Sequence, residues 1–218
     1  MNEQPFVIAI GRQMGSGGRE LGRLLAERLN IDFYDKKLLA DAAKNSGLIA
    51  HTLEHSDERT PSFLGNIFGS AFGHPMTNVS SYSYDDTAYR AVSDTIRSLG
   101  DTKSCVIVGR TADYVLRDHP RCVSIFVHAP EDACVKRVMA RGDKATEADA
   151  RALVRKTNKL RASYYEFYTD KPWGAASTYD LTINSALLPL PDLADLLATY
   201  IPHRLAPQSA TNTSGKDF

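Results

Sequence analysis

The sequence predicts an α/β fold, a parallel sheet with helices on both faces, and three features point to it. Short apolar runs of strand length alternate with stretches of helical periodicity along the chain, the pattern of βα units that build a parallel sheet. The first such run, Phe6-Val7-Ile8-Ala9-Ile10, passes directly into a glycine-rich turn and then a helix. The third run, Ser104-Cys105-Val106-Ile107-Val108, closes on Gly109-Arg110. Ligands of such sheets bind beyond the carboxyl ends of the strands, so both turns fall on the edge where a site belongs.

The elements follow in order. Leu21, Leu24, Leu25 and Leu29 recur at helical spacing and predict a first helix ending near Leu29. Asp32-Phe33-Tyr34 reads as a second strand, with a helix from about Lys36 to Lys44. Residues 46–84 resist assignment. The part from Phe63 to Ser83 is rich in Gly, Ser, Phe and Tyr and carries Pro75, so it reads as an insert or flap. A helix resumes near Asp85 and runs to Leu99, with Gly100 as its stop signal. Cys122 to Val127 is a fourth strand and Ala133 to Arg141 a helix. Thr146 with Asp149 has the spacing of a capping box and opens a long helix toward Phe167. Leu181-Thr182-Ile183 is the last strand and Leu190 to Tyr200 the closing helix. The chain thus reads as one domain over 1–205, with its core in 5–45 and 85–205 and a polar tail, 206–218, expected to be disordered.

Composition narrows the function. A formal net charge of zero argues against a general nucleic-acid or membrane-surface binder. No apolar stretch nears the ~20 residues a membrane span needs, and the first residues lack the marks of a signal peptide. Three cysteines, Cys105, Cys122 and Cys134, with no CxxC spacing argue against a disulfide framework or zinc site and fit a reducing cytoplasm. The histidines show no ligand spacing, so no metal site is assigned to side chains of this chain.

The turn after the first strand, Arg12-Gln13-Met14-Gly15-Ser16-Gly17-Gly18-Arg19, is a candidate anion site. Backbone amides and a helix N-terminus attract phosphate, and glycines let the backbone approach closely. Set against the phosphate-loop pattern GxxxxGK[ST], however, Gly18 stands where the lysine belongs and Arg19 where the hydroxyl belongs. Arg12 or Arg19 is left to supply the charge, and a plain structural turn is the competing reading. Ser16 is the loop's one hydroxyl. Asp35 reads equally as a helix N-cap before Lys36. Arg151, Arg155 and Lys159 form a row at four-residue spacing, either a solvated face or a set of phosphate-seeking cations. Tyr164, Tyr165, Phe167, Tyr168 and Trp173 read as packing residues, with nucleotide stacking as the alternative.

Ile10 through Glu20, Phe33-Tyr34-Asp35, Val106 through Arg110, Ala112 through Leu116, Tyr164-Tyr165, Trp173-Gly174 and Tyr179-Asp180-Leu181 together resemble the cytidylate kinase-like family, over roughly residues 6 to 185. The resemblance implies a three-layer P-loop kinase fold with a five-stranded parallel sheet, a monophosphate-binding insert at about 46–84 and a helical lid at about 141–172. It implies ATP, with Mg²⁺, as phosphoryl donor and CMP or dCMP as acceptor. Two alternatives stand beside it: a kinase of another small metabolite on the same fold, and a non-catalytic nucleotide-binding protein. On this resemblance Gly15, Ser16, Gly17, Gly18 and Arg19 hold the donor phosphates, and Asp35, Arg110 and Asp113 hold the acceptor. Arg12, Arg19, Arg155 and Arg161 carry catalytic charge, and Arg137, Arg141 and Lys159 belong to the lid. The partners implied are small nucleotides, neither nucleic acid nor membrane; homo-oligomerisation is left open.

Overall fold

The computed structural model describes residues 4–39 and 86–206. The expected insert at 46–84 and nearly all of the expected tail lie outside these residues, as does the second half of the helix expected after Lys36. Five strands form one sheet: β1 (Val7–Arg12), β2 (Asp32–Tyr34), β3 (Cys105–Val108), β4 (Cys122–His128) and β5 (Leu181–Asn184). Their order is β2-β3-β1-β4-β5, and every pairing is parallel. The helices are α1 (Gly18–Leu29), α2 (Asp86–Thr102), α3 (Ala112–Val115), α4 (Glu131–Ala140), α5 (Glu147–Thr169) and α6 (Leu190–Leu205).

β1 lies in the middle, and Val7, Ile8, Ala9 and Ile10 are all fully buried. A strand covered on both faces needs apolar side chains in both directions, hence a continuous run rather than alternation. Ile8 and Ile10 pack on one side with Leu21, Leu25, Leu193 and Leu197. Val7 and Ala9 pack on the other with Leu39, Ile96, Ile107 and Leu116. Each Val, Leu or Ile among them contributes about 1.5–3 kcal/mol by leaving water. The two clusters are the two interfaces of a three-layer sandwich.

Several element limits differ from the sequence expectations for identifiable reasons. β1 continues through Gly11 and Arg12, because β4 pairs with it that far; Arg12 therefore belongs to the strand end and not to the turn. Gly100 does not stop α2, which runs on to Thr102. It sits in the helix interior, where a Cβ would lie 3.2 Å from Leu116 and 3.4 Å from Val7, so the glycine serves helix–sheet approach. The α5 cap is as expected: the Asp149 amide donates to Thr146 Oγ1 at 3.2 Å. Among the described residues no helix is long and apolar enough to cross a membrane, and no cluster of three metal-ligating side chains occurs.

Candidate functional site

The strand order changes direction at β1, whose neighbours are β3 on one side and β4 on the other. The crevice at such a switch point opens beyond the carboxyl ends. Three segments meet there: the bend after β1, residues 35–39 after β2, and the Gly109 turn after β3.

The bend after β1 is held rigidly from outside. Gln13 N donates to the Val127 carbonyl at 3.1 Å, and Gln13 Oε1 accepts from Ala129 N at 3.2 Å. Met14 N donates to Asn158 Oδ1 at 2.7 Å. Ser185 Oγ donates to the Ser16 carbonyl at 2.5 Å, and Arg137 reaches the Gly15 and Ser16 carbonyls and the Ser185 carbonyl, the last at 2.6 Å. Gly15, at φ +78, lies so close to α4 that a Cβ would stand 2.5 Å from the Cys134 carbonyl oxygen. Gly17, at φ +80, is the N-cap of α1, and no side chain caps that helix. Gly18 packs on Arg12. Ser16 is fully buried; its hydroxyl donates to the Gln13 carbonyl at 2.9 Å and faces the Gly18 amide at 3.4 Å. That hydroxyl serves the loop's own shape, in contrast to the expectation that Ser16 offers it to a donor phosphate.

Four cations converge on the same edge. Arg12 ends β1, and its guanidinium lies against Gly109, where a Cβ would meet Nη1 at 2.0 Å. Arg161 of α5 donates to the Arg12 carbonyl at 3.0 Å. Arg110 follows β3 within three consecutive left-handed residues: Gly109 at φ +82, Arg110 at +60 and Thr111 at +52. A β-branched residue there costs about 1–2 kcal/mol. The turn is nonetheless pinned, since buried Thr111 bonds the Arg110 carbonyl at 2.7 Å and meets Tyr89 Oη at 3.2 Å. Lys36 is the fourth. Burial, then Arg110, Arg12 and Arg161, pull its pKa down from the ordinary lysine value to about 8. Burial, then Arg161 and Arg110, pull Arg12 down to about 9. Mutual repulsion of this kind exists only among charges held close together. The cations and the N-terminus of α1 thus act at one edge of the sheet.

Asp35 offsets them only in part: it raises the Arg12 pKa against the larger effects of burial, Arg161 and Arg110. Its Oδ2 is held by Arg19, from Nε at 2.8 Å and Nη2 at 2.7 Å. Its Oδ1 accepts from Lys37 N at 3.0 Å and Leu38 N at 3.1 Å, as a helix N-cap. Burial alone would raise the Asp35 pKa, but the Leu38 amide and Arg19 hold it below the ordinary carboxylate value. Arg19 points outward with 68% of its side chain exposed. The carboxylate and the arginine assigned to acceptor and donor therefore engage each other.

Other expected site residues lie apart from the cluster. Arg155 is bound to Glu131, with Nη2 to Oε1 at 2.9 Å and Nε to Oε2 at 3.0 Å. Arg151 bridges Glu131, Asp132 and Glu147. Both join α5 to α4, in contrast to the expectation of cations aimed at phosphate, because Glu131 and Glu147 stand nearer than the crevice. Arg141 pairs with Asp143 at 2.5 Å in the turn after α4, and Lys159 is exposed. Asp113 accepts from Tyr165 Oη at 2.6 Å, and burial pushes its pKa up. It lines a cleft of about 480 Å³ with Cys122, Ser124, Lys171, Asp180 and Arg204. Cys122 and Ser124 belong to the first half of β4, so this cleft opens away from the carboxyl edge where Arg110 sits.

The aromatic residues pack on one another. Tyr89 stacks on Tyr168 with centroids 3.8 Å apart, Trp173 meets Phe126 edge-on at 5.1 Å, and Tyr165 and Tyr179 lie beside Phe126. Sequence reasoning missed Lys36, Asn158 and Ser185. Only Lys36 had a usable signal, its place just past the end of a strand on the ligand-binding edge.

Residues 7–187 match the family described as the cytidylate kinase-like family. No curated protein matches the chain. Among solved structures, an uncharacterized protein from Eubacterium ventriosum is 28% identical, with a TM-score of 0.67 over 90% of this chain and 98% of that one. A gluconokinase from Sinorhizobium meliloti is 16% identical, with a TM-score of 0.54 over 94% and 95% of the two chains. A shikimate kinase from Acinetobacter baumannii, in complex with shikimate, is 16% identical, with a TM-score of 0.51 over 94% and 96%.

Proposed function

The chain belongs to the cytidylate kinase-like family, and from that premise we propose that it transfers the terminal phosphoryl group of ATP to a nucleoside monophosphate, CMP or dCMP. The observation that carries this reading is the convergence of Arg12, Lys36, Arg110 and Arg161 on one edge, where Asp35, itself held by Arg19, offsets only part of the burial and repulsion that lower Arg12. Phosphoryl transfer needs two phosphates held in line and their charge offset, with little covalent help. An acceptor with its own dianionic phosphate uses such a cluster fully; a neutral sugar does not. Guanidinium forks suit phosphate oxygens. Arg110, fixed by its turn, is the proposed acceptor clamp, and the bend from Gly15 to Gly18 with the open N-terminus of α1 is the proposed seat of the donor phosphates. The cytosine preference comes from the family likeness.

Among the described residues, magnesium fits only as an ion carried by the nucleotide. Mg²⁺ usually takes one or two carboxylates together with substrate phosphates. At this edge the Ser16 hydroxyl and both Asp35 oxygens are already engaged. When bound with ATP, the ion would neutralise phosphate charge. The protein's own work is to orient the two phosphates, through Arg110 and Arg161, and to keep the bend rigid, through Asn158, Arg137 and Ser185.

The loop without a lysine supports a second reading, a protein that binds nucleotide and does not turn it over. ADP release, measured by a coupled assay with a panel of nucleoside monophosphates, shikimate and gluconate, separates the readings. Turnover with CMP or dCMP is expected. Turnover with shikimate or gluconate alone points to another metabolite kinase, and tight ATP binding without turnover points to the non-catalytic reading.

A further inference from the structure

The glycine bend lacks the lysine that usually meets the donor's outer phosphates, and the two arginines nearest in sequence are poor substitutes in this structure. Arg19 is turned outward and doubly bound to Asp35. Arg12 ends β1 with its guanidinium lying against Gly109 and its carbonyl held by Arg161. The sheet itself offers a third cation. In the β2–β3 register Tyr34 pairs with Ile107, and in the β1–β3 register Ala9 pairs with Ile107. Two residues past Tyr34 the chain has left the strand: Lys36 opens the helical turn that Asp35 caps. That turn follows β2, the neighbour of β3, on the same edge of the sheet as Arg110 after β3 and Arg12 at the end of β1.

We propose that Lys36 is the ammonium that replaces the missing loop lysine and contacts the phosphoryl group in transfer, an assignment that rests on the kinase reading above. A lysine suits the task because its compact charge on a flexible stem can follow the phosphate, whereas the arginines around it are fixed. Three cations face it from three other elements: Arg110 after β3, Arg12 of β1 and Arg161 of α5. Its chain neighbour Asp35 is held by Arg19. Burial and these three arginines lower its pKa to about 8, so it is charged at neutral pH and sheds its proton just above.

The test uses inorganic sulfate, a dianion whose own charge is constant over the range studied. Binding is measured by calorimetry at matched ionic strength for wild type, Lys36→Met and Lys36→Arg. Because the pKa lies about midway between the two conditions, wild-type affinity is expected to fall about tenfold from about pH 7 to about pH 9. Lys36→Arg loses only the roughly twofold that Arg12, at about 9, contributes by pH 9, and Lys36→Met starts about tenfold weaker. Thermal melting gives a second readout without any ligand. The folded pKa lies below the ordinary 10.5, so the unfolded chain holds the proton longer, and wild-type stability rises with pH between the two values. Lys36→Met flattens that rise and melts higher than wild type at neutral pH. If Lys36→Met binds sulfate like wild type, or Lys36→Arg shows the wild-type pH dependence, the assignment to Lys36 is wrong while the anion site stands. If wild type binds no sulfate, both fall.

Discussion

Two arginine-rich regions of this molecule reach opposite ends. At the carboxyl edge of the sheet, Arg12, Arg110, Arg161 and Lys36 come together, and burial with the neighbouring arginines lowers the proton affinity of Arg12 and Lys36. Along the α4–α5 seam, Arg151 and Arg155 meet Glu131, Asp132 and Glu147; hydrogen bonds from these acids raise the proton affinity of both arginines, and Glu131's is lowered in return. The residue type is the same; what differs is which charges surround it. Arg151 and Arg155, ringed by acids, join two helices. Arg12, crowded by Arg161 and Arg110 and relieved only in part by Asp35, is held at a cost that the proposed phosphates would offset. The charges around a basic residue are therefore a better guide to this site than the number of basic residues.

Arg110→Ala should break the comparison most severely. Loss of a fixed donor to a transferring group typically costs ~10²–10³ in rate, ~3–4 kcal/mol. A fall of that size in kcat/KM for CMP is expected, with partial recovery in Arg110→Lys. Gly109→Ala comes next. Its Cβ would lie 2.0 Å from Arg12 Nη1 at φ +82, so Arg12 must leave. Urea unfolding should show ~1–3 kcal/mol of lost stability, accompanied by weaker sulfate binding. Unchanged stability would mean that Arg12 is not wedged there.

Smaller effects sharpen the contrast. Tyr165→Phe removes the donor to Asp113 and should cost ~1–3 kcal/mol of stability while leaving kcat/KM for CMP unchanged, because Asp113 faces the other cleft. The smallest effect belongs to Arg155→Ala. Its partner Glu131 is held down to about 2, chiefly by hydrogen bonds from Arg155 and then Arg151. With the folded pKa below the ordinary value of 4.5, that contribution is present above pH 4.5 and lost as pH falls toward 2. The pair is solvent-exposed, and such pairs contribute little. Melting at neutral pH should barely change, and turnover should stay near wild type. A loss in turnover matching that of Arg110→Ala would return Arg155 to the role in catalysis that its spacing suggested.

The fold was legible because its signals are local. Five apolar runs, the glycine bend after β1 and the Thr146 cap each depend on a few neighbouring residues, and the sheet they imply is the sheet observed. Gly100 misled because a helix glycine at a close contact looks like a stop until Leu116 and Val7 are known to lie beneath it. The site was less legible because its balance of charge depends on contacts distant in sequence. Arg19 and Asp35 are each plausible ligand groups alone, and only the fold shows them bound to each other. Arg161 was grouped with Arg155, whose row runs on to Lys159. At about 100° per residue, however, it points roughly 120° from Arg155 and roughly 160° from Lys159, toward β1 and away from their row. Lys36 was passed over as a helix residue, since only the pairing of β2 with β3 brings it beside Arg110.

The central claim, that this edge seats two phosphate-bearing ligands in line, is tested most directly by a bisubstrate analogue joining adenosine and cytidine through five phosphates. Calorimetric titration of wild type should give one site per chain, binding more tightly than either ATP or CMP alone, with affinity lost in Arg110→Ala. An analogue that binds no better than ATP, or binds Arg110→Ala and wild type alike, would contradict it.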